Sequence, residues 1–275
     1  MWGPSTSPYC GAPPHPGALW GRWNLDPILL CALALALLAY VFGSRRLGKA
    51  GRPTSSARQA AFLTGWSVGA LALISPLCPL SVSLFAARVA QHMILALVAA
   101  PLVLLGRPGR AAAALVPRLA RSLEQSTALR ALRSPLASGL AFALALWFWH
   151  APGPYDATFT STLVYWLMHL SVFAAALLVW SVLLDPRPDQ VAQGLAVGGA
   201  STVQMSLLGA IITLTPHALY SPHIITPYAW GLTQAQDQQV GGLIMWVPGC
   251  TVFLVATLFN LGRAMADRAQ PDAWA

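Results

Sequence analysis

Seven stretches of the chain, at approximately 27–43, 60–77, 89–105, 135–151, 163–184, 191–213 and 240–262, are apolar over nearly their whole length. A helix rises 1.5 Å per residue and the hydrocarbon core of a bilayer is about 30 Å thick, so about 20 apolar residues make one crossing. Inside that core every backbone polar group must be paired within the protein. The stretches therefore predict an all-α fold, an integral membrane bundle of seven transmembrane helices. The overall make-up agrees: 9% of residues are charged and 56% are hydrophobic. A soluble domain carries about 25% charged residues, so this surface is suited to lipid.

The basic residues orient the bundle. Arg45, Arg46, Lys49, Arg52 and Arg58 follow the first stretch. Arg107, Arg110, Arg118, Arg121, Arg130 and Arg133 lie between the third and fourth. Arg187 follows the fifth, and Arg263 and Arg268 follow the seventh. All fourteen fall on one side, leaving only Arg22 and Arg88 on the other. The positive-inside rule makes the rich side cytoplasmic, so the N-terminus is outside and the C-terminus is in the cytoplasm. The formal charge of +8 thus orients the protein and does not indicate nucleic acid as a partner.

This divides the chain into an outer N-terminal tail (1–25), a membrane domain (26–265) and a short cytoplasmic tail (266–275). The outer tail holds five prolines and reads as mobile. It has no signal-peptide core, so the first stretch acts as its own insertion signal. The segment 106–134 mixes apolar and basic residues at helical spacing. It suits either an amphipathic helix on the inner leaflet or a solvated loop. Gly65 and Gly69 in the second stretch, and Gly194 and Gly198 in the sixth, allow close helix contact. The sixth, rich in Gly, Ser and Thr and carrying Gln193 and Gln204, reads as an interior helix.

Several chemistries are absent. Lys49 is the only lysine and is cytoplasmic, which excludes a retinal Schiff base in the bundle. There is no P-loop, no H-E-x-x-H and no nucleophile elbow, so nothing indicates an enzyme. The four cysteines show no C-x-x-C spacing. Cys10 and Cys78 both fall outside, where a disulfide is chemically allowed, although their spacing does not call for one.

The histidines carry the remaining chemistry. His15, His150, His217 and His223 lie at the outer surface, His92 about one turn into the third stretch, and His169 about 9 Å into the fifth. Ionisable groups at membrane depth face the bundle interior and need partners. His92 adjoins Met93, and His169 adjoins Met168. Imidazole suits copper, zinc or iron, and thioether selects Cu(I). The competing reading is a hydrogen-bonded core histidine beside a methionine that fills space. Arg88 shares a helix face with His92. It either snorkels to the outer interface or pairs with Asp156 or Asp237. Asp237 and Gln238 enter the seventh stretch, where polar groups heading into lipid need partners.

Taken together, Gln91-His92-Met93-Ile94-Leu95 with Ala100-Pro101-Leu102, Trp149-His150-x-Pro with Tyr155-Asp156, His169, and Asp237-Gln238-Gln239-x-Gly241-Gly242 through Gly249 resemble the CtaG-type cytochrome c oxidase assembly proteins. This is the multi-span family linked to caa-type oxidases, and the resemblance covers roughly residues 60–262. It implies a multi-pass protein of the bacterial inner membrane that matures a haem–copper oxidase, whose subunits are its partners, by binding or delivering copper outside. By motif, His92, His150 and His169 are the implied ligands, with Asp237 and Gln238 as polar support. The family pattern places a second histidine one turn before His92, where this chain has Arg88. Either the site draws on His217 or His223, or metal binding is not this chain's activity. Haem held by His92 and His169, and a metal-free scaffold for oxidase subunits, are the alternatives.

Overall fold

The computed structural model describes residues 8–184 and 188–269, and every regular element among them is helical. Arg187 and residues 270–275 lie outside the described residues.

Helix α1 (Pro27–Lys49) starts where Asp26 accepts the N–H of Ile28 at 2.8 Å and Pro27 fixes the first turn. Most of its side chains face outward, as expected for lipid contact. Its Gly43 is buried against the backbone of Ala111. Helix α2 (Ser56–Ile74) is tied to α1 by Trp66, which donates to the Leu33 carbonyl at 3.2 Å. Gly65 and Gly69 face the next long helix as expected. A Cβ on Gly65 would lie 2.7 Å from the Val103 nitrogen.

After a 47° bend at Ser75–Pro76 comes short helix α3 (Leu77–Ser83). Helix α4 (Phe85–Leu105) then runs through a π-helical segment at Ile94–Ala99. In that i→i+5 register the Ala96 carbonyl would be matched to residue 101, which is Pro101 and has no N–H. The Trp180 indole donates to Ala96 instead, at 2.8 Å.

The segment between the third and fourth stretches is helical, in three pieces: α5 (Pro108–Leu115), α6 (Pro117–Gln125) and α7 (Thr127–Leu132). The prolines start α5 and α6 at their first turns. Leu119 and Leu123 of α6 are exposed beside Arg118 and Arg121, which makes it amphipathic.

Helix α8 (Pro135–His150) ends at Pro152, and the chain turns 72° into α9 (Pro152–Thr160). Helices α10 (Thr162–Leu184), α11 (Val191–Leu214) and α12 (Gln234–Ala269) complete the bundle. Five helices, α1, α4, α10, α11 and α12, are long and apolar enough to cross a membrane. The count reaches seven if each bent pair, α2 with α3 and α8 with α9, is one span.

Two expectations change. The sixth stretch, α11, is not interior. Its glycines face α12, with Gly209 against Trp246, but Val203, Leu207, Ile211 and Leu214 face outward. The described part of the N-terminal tail, 8–25, is fastened to the bundle. Cys10 is disulfide-bonded to Cys78, Asn24 donates to the Leu73 carbonyl at 3.2 Å, and the Tyr9 hydroxyl donates to Asp26 at 2.5 Å. That bond holds the Asp26 carboxyl below its ordinary value, and burial together with Asp26 raises the Tyr9 phenol.

Candidate functional site

His92 on α4 and His169 on α10 lie side by side, with ring centroids 4.9 Å apart and nearly perpendicular planes. Both are about 4% exposed. Helix geometry sets the tautomer of His169. Its Nδ1 lies 3.0 Å from the Tyr165 carbonyl, four residues earlier on the same helix. A carbonyl can only accept, so Nδ1 carries the hydrogen and Nε2 of the neutral ring presents a lone pair. That Nε2 faces Oε1 of Gln91 at 3.5 Å. The Gln91 amide is itself oriented, because its N–H donates to the Ala72 carbonyl at 2.7 Å. Two acceptors therefore face each other, and a cation between them would reconcile them. Nε2 of His92 is buried without any hydrogen-bond partner.

His150 closes the outer end of α8. Its Nδ1 donates to the Leu146 carbonyl at 2.7 Å, which again leaves Nε2 free to accept. It lies within electrostatic range of His92. Trp149 beside it donates to Ser171 of α10 at 2.8 Å, locking α8 to α10. Among the described residues, no group of three or more His, Cys, Asp or Glu side chains converges in a metal-binding arrangement.

Arg88 neither snorkels nor pairs with an acid. It is 1% exposed. Its Nε donates to the Ser81 carbonyl at 3.4 Å, Nη1 has no partner, and the guanidinium lies over Phe159, 4.5 Å from the ring centroid, and near Tyr165. The two expected acids have other partners. Asp156 accepts from Ser221 at 2.6 Å. Asp237 accepts the N–H groups of Phe85 at 2.7 Å and Ala86 at 3.0 Å, so it caps α4 from another helix. Leu84, which precedes α4, has no side-chain oxygen to do this. Gln238 accepts from the Leu219 N–H at 2.8 Å and donates to the Ile212 and His217 carbonyls, pinning the α11–α12 connection.

The other candidates lie apart from the pair. Met93 and Met168 are packed in separate apolar clusters. His217 is exposed. His223 is buried with its Nε2 2.7 Å from the Tyr155 hydroxyl. Burial, with the Arg88 charge second, lowers its imidazole to about 3.

The family model for the cytochrome c oxidase caa3 assembly factor (Caa3_CtaG) matches residues 38–267. The chain belongs to this family. No curated protein and no solved structure matches it. The matched region contains His92, His150 and His169 and both aspartates discussed above. In this member of the Caa3_CtaG family, two further residues shape the site: Gln91 and Tyr165. Their signals were present in the sequence. Gln91 adjoins His92, and Tyr165 precedes His169 by one helical turn. An apolar cavity of about 380 Å³ between α1, α2, α4 and α10, lined by Leu33, Phe62, Trp66, Leu95 and Trp166 among others, extends to His169.

Proposed function

We propose that this family member serves caa3-type oxidase assembly by holding Cu(I) transiently between His92 and His169. The role is non-catalytic. The protein sits in the bacterial cytoplasmic membrane as seven spans, the bent pairs counting as one each, with its N-terminus outside. Its partners are the oxidase subunits that take the metal. One observation carries this reading: the bare Nε2 of His169 faces the fixed Oε1 of Gln91 beside the unpartnered Nε2 of His92.

The donor types fit the ion. Imidazole nitrogen suits copper, and a site of few ligands suits transient holding. Arg88, one turn from His92, adds a like charge, which weighs against a divalent ion more than against a monovalent one. Copper is cargo here, so the site need only take it and give it up. Haem fits less well. With metal–nitrogen bonds of about 2 Å, imidazoles on opposite haem faces have centroids about 6 Å apart, against 4.9 Å here. The disulfide supports the orientation, because such bonds persist in an oxidising compartment.

The test is Cu(I) titration of detergent-purified full chain against a competing chelator. About one ion per chain is expected, by the single-site reading. It should be lost in both His92→Ala and His169→Ala while both variants remain folded. Unchanged stoichiometry in the two variants would overturn the proposal.

A further inference from the structure

The Cys10–Cys78 disulfide joins residues 68 positions apart and lies directly over the histidine pair's surroundings. Its two sulfurs differ. Cys78 is fully buried, whereas Cys10 is partly exposed. The Tyr165 hydroxyl donates toward both, at 3.5 Å from Cys10 and 3.9 Å from Cys78. The Asn24 amide donates to Cys78 at 3.5 Å. Tyr165 is also the residue that orients His169: its carbonyl takes the Nδ1 hydrogen and its ring lies 4.2 Å from the imidazole. Above it, Tyr9 of the N-terminal segment stacks on Tyr165 at 4.6 Å and meets Trp166 edge-on at 5.1 Å. The disulfide therefore holds a cover of aromatic side chains over His169.

We propose that Cys10–Cys78 is a thiol–disulfide exchange site, opened by a dithiol reductant, that releases residues 8–25 from above His169. A thiolate of the reductant attacks the accessible Cys10 Sγ. The Sγ–Sγ bond breaks, its electron pair stays on Cys78 Sγ, and a mixed disulfide forms on Cys10. Asn24 and Tyr165 donate hydrogen bonds to the departing Cys78 thiolate, which then takes a proton. The reductant's second thiol displaces Cys10 Sγ, which is protonated in turn. Two electrons and two protons pass to the two cysteines, and the dithiol leaves as its own disulfide. The inference concerns the same histidines as the proposed function but requires no copper.

The experiment uses the full chain in detergent under non-denaturing conditions, without metal. Dithiothreitol serves as the dithiol and diethyl pyrocarbonate reports imidazole access, with both read by peptide mass mapping. Reduction should make Cys10 and Cys78 reactive to maleimide and raise His169 modification about tenfold or more, as expected for release of a locally ordered cover. Reoxidation should reverse it. A monothiol should be trapped on Cys10. Cys10→Ser should show high His169 modification without reductant; if that variant misfolds, the reduced wild-type chain decides. A disulfide that resists dithiothreitol short of unfolding, an adduct on Cys78, or unchanged His169 modification after reduction would each overturn the proposal. Failure to bind copper would leave all of these readouts unmoved.

Discussion

The carboxylate of Asp237 accepts the backbone N–H of Phe85 at 2.7 Å, across 152 residues of sequence. It thereby caps the helix that carries Arg88, Gln91 and His92 and sets where that helix begins. Asp237→Ala leaves the N–H groups of Phe85 and Ala86 buried without acceptors. Loss of such a cap costs about 1–3 kcal/mol. A lower thermal midpoint in detergent, together with faster amide exchange at residues 85–88, is the expected result. An unchanged midpoint would show that the cap is dispensable.

Close helix contact makes a paired test. A Cβ on Gly209 would lie 2.7 Å from the Trp246 Cβ and 2.8 Å from its backbone nitrogen, so α11 and α12 must separate. Gly209→Ala should destabilise by about 1–3 kcal/mol. Gly199 on the same helix has open space around its Cβ position. Gly199→Ala should be neutral or gain up to about 1 kcal/mol from helix propensity. Thermal unfolding of the two variants side by side checks the contrast.

Much of this was legible beforehand, and the failures have physical reasons. Hydropathy located all seven stretches, because lipid demands a long apolar run whatever packs beside it. Gly65 was read correctly as a contact point because any approach of α4 needs a missing side chain there. The sixth helix was misjudged because its Gly, Ser and Thr content reports one packed face, and a sequence does not show that Val203 and Leu207 cover the other. Arg88 was expected to have an acid partner on charge grounds. The backbone of α4 took Asp237 instead, through a long-range cap that no local pattern encodes. The histidine pair was nameable from the third and fifth stretches. Its tautomer was not, since it depends on the amide orientation fixed by Ala72.

Outside the spans, His223 gives a pH signature. Burial lowers its imidazole to about 3, against an ordinary 6.5. Above the unfolded value both states are neutral and its contribution is fully present. As pH falls from about 6.5 toward 3, the unfolded chain takes a proton that the folded chain refuses. Stability then drops by up to about 1.4 kcal/mol per pH unit from this group. His223→Gln keeps a polar partner for Tyr155 and should flatten that part of the profile. Unfolding midpoints between pH 7.5 and 5 decide it, and identical slopes in the two proteins would refute the assignment.

The account rests most heavily on copper held by the pair of imidazoles. Copper K-edge absorption of the Cu(I)-loaded full chain tests that directly. Imidazole scattering from about two nitrogen ligands at about 2 Å is expected, reduced in His169→Ala. A spectrum with sulfur ligands alone, or one unaltered by His169→Ala, would contradict the account.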